Sequence, residues 1–127
     1  MNKEFEKVRE FHKAFESPIS DKPVILTPER VKARAGFMRE EIEEFEGSVN
    51  IYEQADAMID LIYFALGTLV EMGVKPDKLF DIVHEANMSK IWSDGKVHYR
   101  EGDKKVIKPP EWEDPEPKLR AEIDNMG

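Results

Sequence analysis

Apolar residues recur at helical spacing in four successive stretches of this chain, and the residues between them carry the start and stop signals of helices. Phe5, Val8, Phe11, His12 and Phe15 mark an amphipathic helix from about Asn2 to Glu16, which Ser17-Pro18 ends. A connector bearing Pro18 and Pro23 leads to Thr27-Pro28, a good N-cap followed by a proline suited to the first helical position. The second helix runs from Pro28 to about Glu46 with the apolar stripe Val31, Ala35, Met38, Ile42 and Phe45, and Gly47-Ser48 closes it. Asn50 and Glu53 form a capping box that starts a third helix, which continues to Gly73. Pro76 opens a fourth, with Leu79, Phe80, Ile82, Val83, Ala86 and Met88, ending near Ile91.

Beyond Ser93-Asp94-Gly95 the pattern changes to short alternating pieces over 96–100 and 104–108, joined by Glu101-Gly102-Asp103, which predicts a β-hairpin or an irregular ribbon. The proline-bearing tail adds a helical turn or two. The expected architecture is all-α: a four-helix core over about 2–91, a ribbon and tail over about 92–127, and one domain spanning 1–127. The third helix is apolar nearly all round and needs cover on every side. A chain with few helices cannot supply that cover, so at least a dimer is expected, either a homodimer or a dimer of dimers.

One residue breaks the third helix's apolar run: Asp60, within Ala57-Met58-Ile59-Asp60-Leu61-Ile62-Tyr63. Burying an ionised carboxylate costs at least several kcal/mol unless a cation or donors meet it, so an acid here marks a candidate site. At about 100° per residue, Glu41 and Glu44 share one flank of the second helix with Arg34 and Phe37, whereas Glu40 points away. Asp56, Asp60, Tyr63 and Gly67 form one column of the third helix, with Glu53 at its edge. A short turn makes the two helices antiparallel, which pairs Glu44 with Glu53 and Glu41 with Asp56 and leaves Asp60 one turn deeper. Acids converging in this way repel one another unless a cation sits among them, and all-oxygen ligation favours Mg²⁺, with Mn²⁺ able to substitute. The bland readings are a solvated glutamate face, a pure capping role for Glu53, a macrodipole role for Asp56 and, for Asp60, a buried salt bridge to Arg30, Arg34, Arg39 or Lys90.

Composition narrows the function. With 19 basic and 27 acidic residues the net charge is −8, which argues against nonspecific nucleic-acid binding. No cysteine means no disulfide, no thiolate nucleophile and no zinc-thiolate site. The acidic start and the absence of an apolar run of about 20 residues predict a cytoplasmic protein without a membrane span. Positive charge concentrates between Met88 and Lys108, where six basic residues stand against three acidic ones. Lysines near a metal cluster are suited to phosphate oxygens, and Lys90 and Lys96 are the candidates. His84, Asn87 and Lys90 share a broad face of the fourth helix, which makes His84 and Asn87 candidate nucleoside contacts. Each has an ordinary surface role as its alternative.

Three segments together, Arg39-Glu40-Glu41-Ile42-Glu43-Glu44-Phe45, Ala55-Asp56-Ala57-Met58-Ile59-Asp60-Leu61-Ile62-Tyr63 and Asn87-Met88-Ser89-Lys90, resemble the MazG-like, all-α nucleoside triphosphate pyrophosphohydrolase superfamily. The last of these, with Asp94-Gly95-Lys96 and the run from Lys105 to Pro110, is similar to its phosphoribosyl-ATP pyrophosphohydrolase-like branch. The resemblance implies a bundle assembled from two chains and a Glu-x-x-Glu pair plus a later Glu-x-x-Asp pair holding Mg²⁺ or Mn²⁺. Glu41 and Glu44 match the first pair and Asp60 the final Asp. The remaining Glu of the pattern falls at Ala57, where Asp56 looks like the replacement and Glu53 the fallback. The implied reaction cleaves a nucleoside triphosphate to monophosphate and pyrophosphate, as house-cleaning of non-canonical or deoxy nucleotides, with Glu41, Glu44, Asp56 and Asp60 holding metal and Glu40 or Glu44 taking the proton of water. Phosphoribosyl-ATP is the alternative substrate. A ferritin-like di-iron bundle wants paired Glu-x-x-His motifs, and the single Asp81-x-x-His84 falls short. A non-enzymatic helical interaction module would leave Asp60 unexplained.

Overall fold

Helices α1 (Asn2–Ala14), α2 (Pro28–Glu46), α3 (Ile51–Met72), α4 (Asp77–Met88) and α5 (Glu116–Asp124), with strands β1 (His98–Tyr99) and β2 (Val106–Ile107), make up the computed structural model, which describes residues 1–127. The fold is all-α with one small ribbon. It divides into two compact units, Met1–Pro76 with Met126–Gly127, and Asp77–Asn125.

In the first unit α1 and α2 each pack on α3. The core is small: Phe5 and Val8 of α1 meet Leu66 and Val70 of α3, with Ile19 and Leu69 packed against them. Burying each such side chain contributes about 1.5–3 kcal/mol. The expected caps form as the sequence dictates. Arg30 N–H donates to Thr27 Oγ1 (3.2 Å), and Glu53 N–H donates to Asn50 Oδ1 (2.9 Å) while Glu53 Oε2 accepts from Val49 N–H (3.0 Å). Gly73 ends α3 in the left-handed region, φ 68°, where a side chain would run into the Lys22 carbonyl. The connector is thus drawn tightly under that turn, tied by Ser20 N–H to the Val70 carbonyl (3.2 Å) and Val24 N–H to the Met72 carbonyl (2.8 Å).

Two helices are shorter than their periodicity predicts. α1 stops at Ala14 because Phe15 caps it and Glu16 turns to φ 58°. α4 ends at Met88 rather than near Ile91, where Lys90 N–H bonds the Asn87 carbonyl (3.1 Å) in a closing turn. The larger departure concerns α2: its apolar stripe is not its inner face. The helix buries Arg34 and Glu41, whereas Val31, Ile42 and Phe45 are exposed. Arg34 finds charge and hydrogen-bond partners on α3, and that satisfied polar contact wins the interior over the apolar stripe. On α3 likewise Ile59, Ile62 and Tyr52 stay exposed in the single chain.

In the second unit α4 packs on α5, and Trp112 closes the pair by donating its indole N–H to the Ala86 carbonyl (2.7 Å). The expected hairpin is a minimal ribbon, His98 opposite Ile107 and Tyr99 opposite Val106. Trp92 braces it, stacking on His98 with ring centres 4.1 Å apart and donating to the Ile107 carbonyl (2.9 Å). The tail forms α5, a nine-residue helix. No single helix is long and apolar enough to cross a membrane.

Candidate metal centre between α2 and α3

Glu41 and Glu44 lie one turn apart on α2, and Asp60 comes to them from α3, so that one carboxylate oxygen from each lies within 4.8 Å of the other two. The antiparallel pairing explains the meeting. Arg34 sits against Gly67, and Glu41 and Asp60 are each seven residues further towards the turn, the same two turns of rise on both helices. The long Arg34 side chain fits there because Gly67 carries no side chain. Glu41 meets Asp60, not Asp56, as its partner in the cluster.

Glu41 is buried, and its Oε2 has no hydrogen-bond partner. A carboxylate oxygen in that condition is costly and calls for a cation or a donor. Loss of hydration pushes the Glu41 pKa up, a hydrogen bond and charge from Glu44 push it further, and Asp60 and Asp56 add smaller repulsions. Asp60 is half-buried and is raised in the same way, first by lost hydration and then by the charges of Asp56 and Glu44. An orphaned buried oxygen among hard oxygen donors that repel one another fits a divalent cation of the Mg²⁺ or Mn²⁺ kind. Glu44 is the exposed member and opens the cluster to solvent.

The other acids lie around this group. Asp56 is exposed and near enough to act on both Glu41 and Asp60, but its oxygens are not among the three that meet. With Glu44, Gly47 and Glu53 it lines a cleft of about 310 Å³ at the turn end. Glu53 is engaged in the capping box. Glu40 is exposed and outside the group. The salt bridge weighed against this reading of Asp60 goes elsewhere. Arg30 and Arg34 pair with Glu71, at 2.9 and 3.2 Å, and Glu71 is the most buried acid of the chain. Sequence reading missed Glu71. Its available signal was two arginines one turn apart on α2, which need a common acid on the facing helix.

His84, Asn87, Lys90 and Lys96 belong to the Asp77–Asn125 unit. His84 and Asn87 are exposed on α4, and Lys90 is half-buried with Nζ 5.6 Å from the centre of the Trp112 ring, which Lys108 also faces at 4.6 Å. Lys96 is exposed in the turn before β1. Its backbone N–H donates to Asp94 Oδ1 (2.8 Å), and that bond, with the His98 ring 3.1 Å from Asp94 Oδ2, holds the Asp94 carboxyl below its ordinary range.

Residues 8–87 match the family model of phosphoribosyl-ATP pyrophosphohydrolase, a span that contains α2, α3 and all three clustered acids. Among solved structures, the crystal structure of a candidate NTP pyrophosphohydrolase from Exiguobacterium sp. 255-15 is 31% identical, with 96% of this chain and 94% of that one covered and a TM-score of 0.53. No curated protein matches. Since the family match covers more than half of the residues, the chain belongs to the phosphoribosyl-ATP pyrophosphohydrolase family of the MazG-like all-α superfamily, and the protein is a pyrophosphohydrolase.

Proposed function

We propose that the protein hydrolyses a nucleoside triphosphate between its α and β phosphates, giving the monophosphate and pyrophosphate, with non-canonical or deoxy nucleotides as its substrates. The observation that carries this reading is the acid cluster, in which Glu41 holds a buried oxygen that no group of the protein satisfies. Glu41, Glu44 and Asp60 would hold Mg²⁺, or Mn²⁺ in its place, with Asp56 as a further acid at the cleft. When bound, the ion neutralises phosphate charge and lowers the pKa of the attacking water.

The chain's own part follows from exposure and charge. Glu44, open to solvent, takes the water proton as the water oxygen bonds to phosphorus and the bridge bond breaks. Glu40, exposed and one turn before Glu44, is the second candidate for that proton. Buried Glu41 and half-buried Asp60 anchor the site and do not leave it. Lys90 and Lys96 steady phosphate oxygens, and Asn87 and His84 contact the nucleoside. The enzyme works as a homodimer or a dimer of dimers, whose contact covers the apolar faces of α2 and α3, and its cysteine-free composition suits the cytoplasm.

A second reading, phosphoribosyl-ATP as substrate, is favoured by the description of the matched family. Both are tested by incubating the protein with a panel of canonical, deoxy and modified nucleoside triphosphates and phosphoribosyl-ATP, in Mg²⁺ and in Mn²⁺, and identifying the products. Pyrophosphate with monophosphate is expected. Orthophosphate as the product would refute the bond assignment, and turnover of phosphoribosyl-ATP alone would select the second reading.

A further inference from the structure

The chemistry proposed above makes no use of Arg34, yet it is the most constrained cation of the first unit. It is 6% exposed, and its hydrogen-bond and ion-pair partners all lie on α3. Nε donates to Thr68 Oγ1 (3.0 Å), Nη2 donates to the Phe64 carbonyl (2.8 Å), and Nη1 lies 3.2 Å from Glu71 Oε2. The guanidinium carbon stands 5.4 Å from the centre of the Phe37 ring and 5.8 Å from that of Phe64. Gly67 makes room for it: a Cβ there would collide with the guanidinium and stand 2.9 Å from His12 Nε2. Arg30 grips the same Glu71 through two further bonds, each 2.9 Å.

A planar guanidinium with its donors fixed in a fork does not slide along a helix as an exposed lysine does. A shift of one residue, about 1.5 Å, would break the bonds to Thr68, Phe64 and Glu71 together. The acid cluster has no such device of its own. Three carboxylates bring oxygens within 4.8 Å of one another, and Glu41 Oε2 finds no hydrogen-bond partner there, so the spacing between the helices is held from outside the cluster. Seven residues separate Arg34 from Glu41 on α2, and seven separate Gly67 from Asp60 on α3. Two rigid turns on each side therefore carry the placement at Arg34 to the cluster.

We propose that Arg34 is a positioning residue, which fixes the register and approach of α2 on α3 and thereby sets the spacing of Glu41 and Glu44 against Asp60 for a divalent cation. This rests on the reading of those three acids as a metal site. The test is a Mn²⁺ titration of the metal-free full-length chain, followed by electron paramagnetic resonance of the free ion, at a temperature where circular dichroism shows each variant folded. Arg34→Lys keeps a charge beside Glu71 but loses the fork, while Thr68→Val removes one acceptor and keeps the shape. The expected result is Mn²⁺ affinity at least about tenfold weaker in Arg34→Lys, the scale on which outer partners tune metal sites, with a smaller loss in the same direction for Thr68→Val. A purely structural role would lower the unfolding midpoint and leave the affinity of the folded variants at the wild-type value, which would overturn the inference. Should Arg34→Lys not fold, Thr68→Val decides alone by the same criterion. If the wild-type chain itself binds no Mn²⁺, the metal site falls, and this inference falls with it.

Discussion

Lost hydration and the charges of neighbouring carboxylates raise the pKa of Glu41 and of Asp60, with a definite consequence for stability. For Glu41 and Asp60 the native state favours the protonated form, so it keeps protons at pH values where the unfolded chain has released them. Their destabilising effect is therefore absent in acid, grows as pH rises through the ordinary carboxylate range, and is complete above the raised native values. Asp60→Asn removes part of it. In metal-free protein the variant is expected to melt higher than the wild type at neutral pH and to lose that advantage at pH 4, while added Mg²⁺ or Mn²⁺ stabilises only the wild type; thermal scans across pH would show this. The same variant should lose pyrophosphate release by roughly 100-fold or more, because the ion's several kcal/mol of charge stabilisation is gone. Asp60 was legible in the sequence as an acid in an apolar run, and Glu41 and Glu44 by their spacing. Glu71 was not, since an acid in the last turn of a helix looks solvated until the arginines that bury it are placed in space.

Among the elements, helix boundaries were legible wherever a side chain caps the backbone. Thr27 and Asn50 begin α2 and α3 where expected, and Gly73 ends α3 in the left-handed turn. Removing such a cap has a known scale: Asn50→Ala should cost about 1 kcal/mol, read as a lower urea midpoint with an unchanged slope. The antiparallel pairing was legible from the short turn, but which acids bring their oxygens together was not, because turn length does not show how far each side chain reaches. Nor was the room that Gly67 leaves for Arg34. The stripe Val31 to Phe45 was legible as the apolar side of α2, although the residues that α2 buries are Arg34 and Glu41, on its polar flank. Hydrophobic periodicity finds the apolar side of a helix but does not tell which surface that side will meet.

At the scale of the whole molecule, the all-α class and its terminal ribbon were legible, and the family resemblance was carried by segments that the matched family model largely contains. What a single chain leaves open is the apolar surface on α2 and α3, where Ile59 is 62% exposed and Val31 53%. Such faces on a charged chain are what a second copy would cover. Light scattering on the purified protein should give at least a dimer, and Ile59→Asp should shift it towards monomer; a wild-type monomer at every concentration would contradict the assembly proposed here. Crystals soaked with Mn²⁺ and measured for anomalous scattering show directly whether three acids on two helices form a metal site. A peak bonded to oxygens of Glu41, Glu44 and Asp60 is expected. Acids that are splayed apart or bound to arginines, with no peak between them, would contradict it.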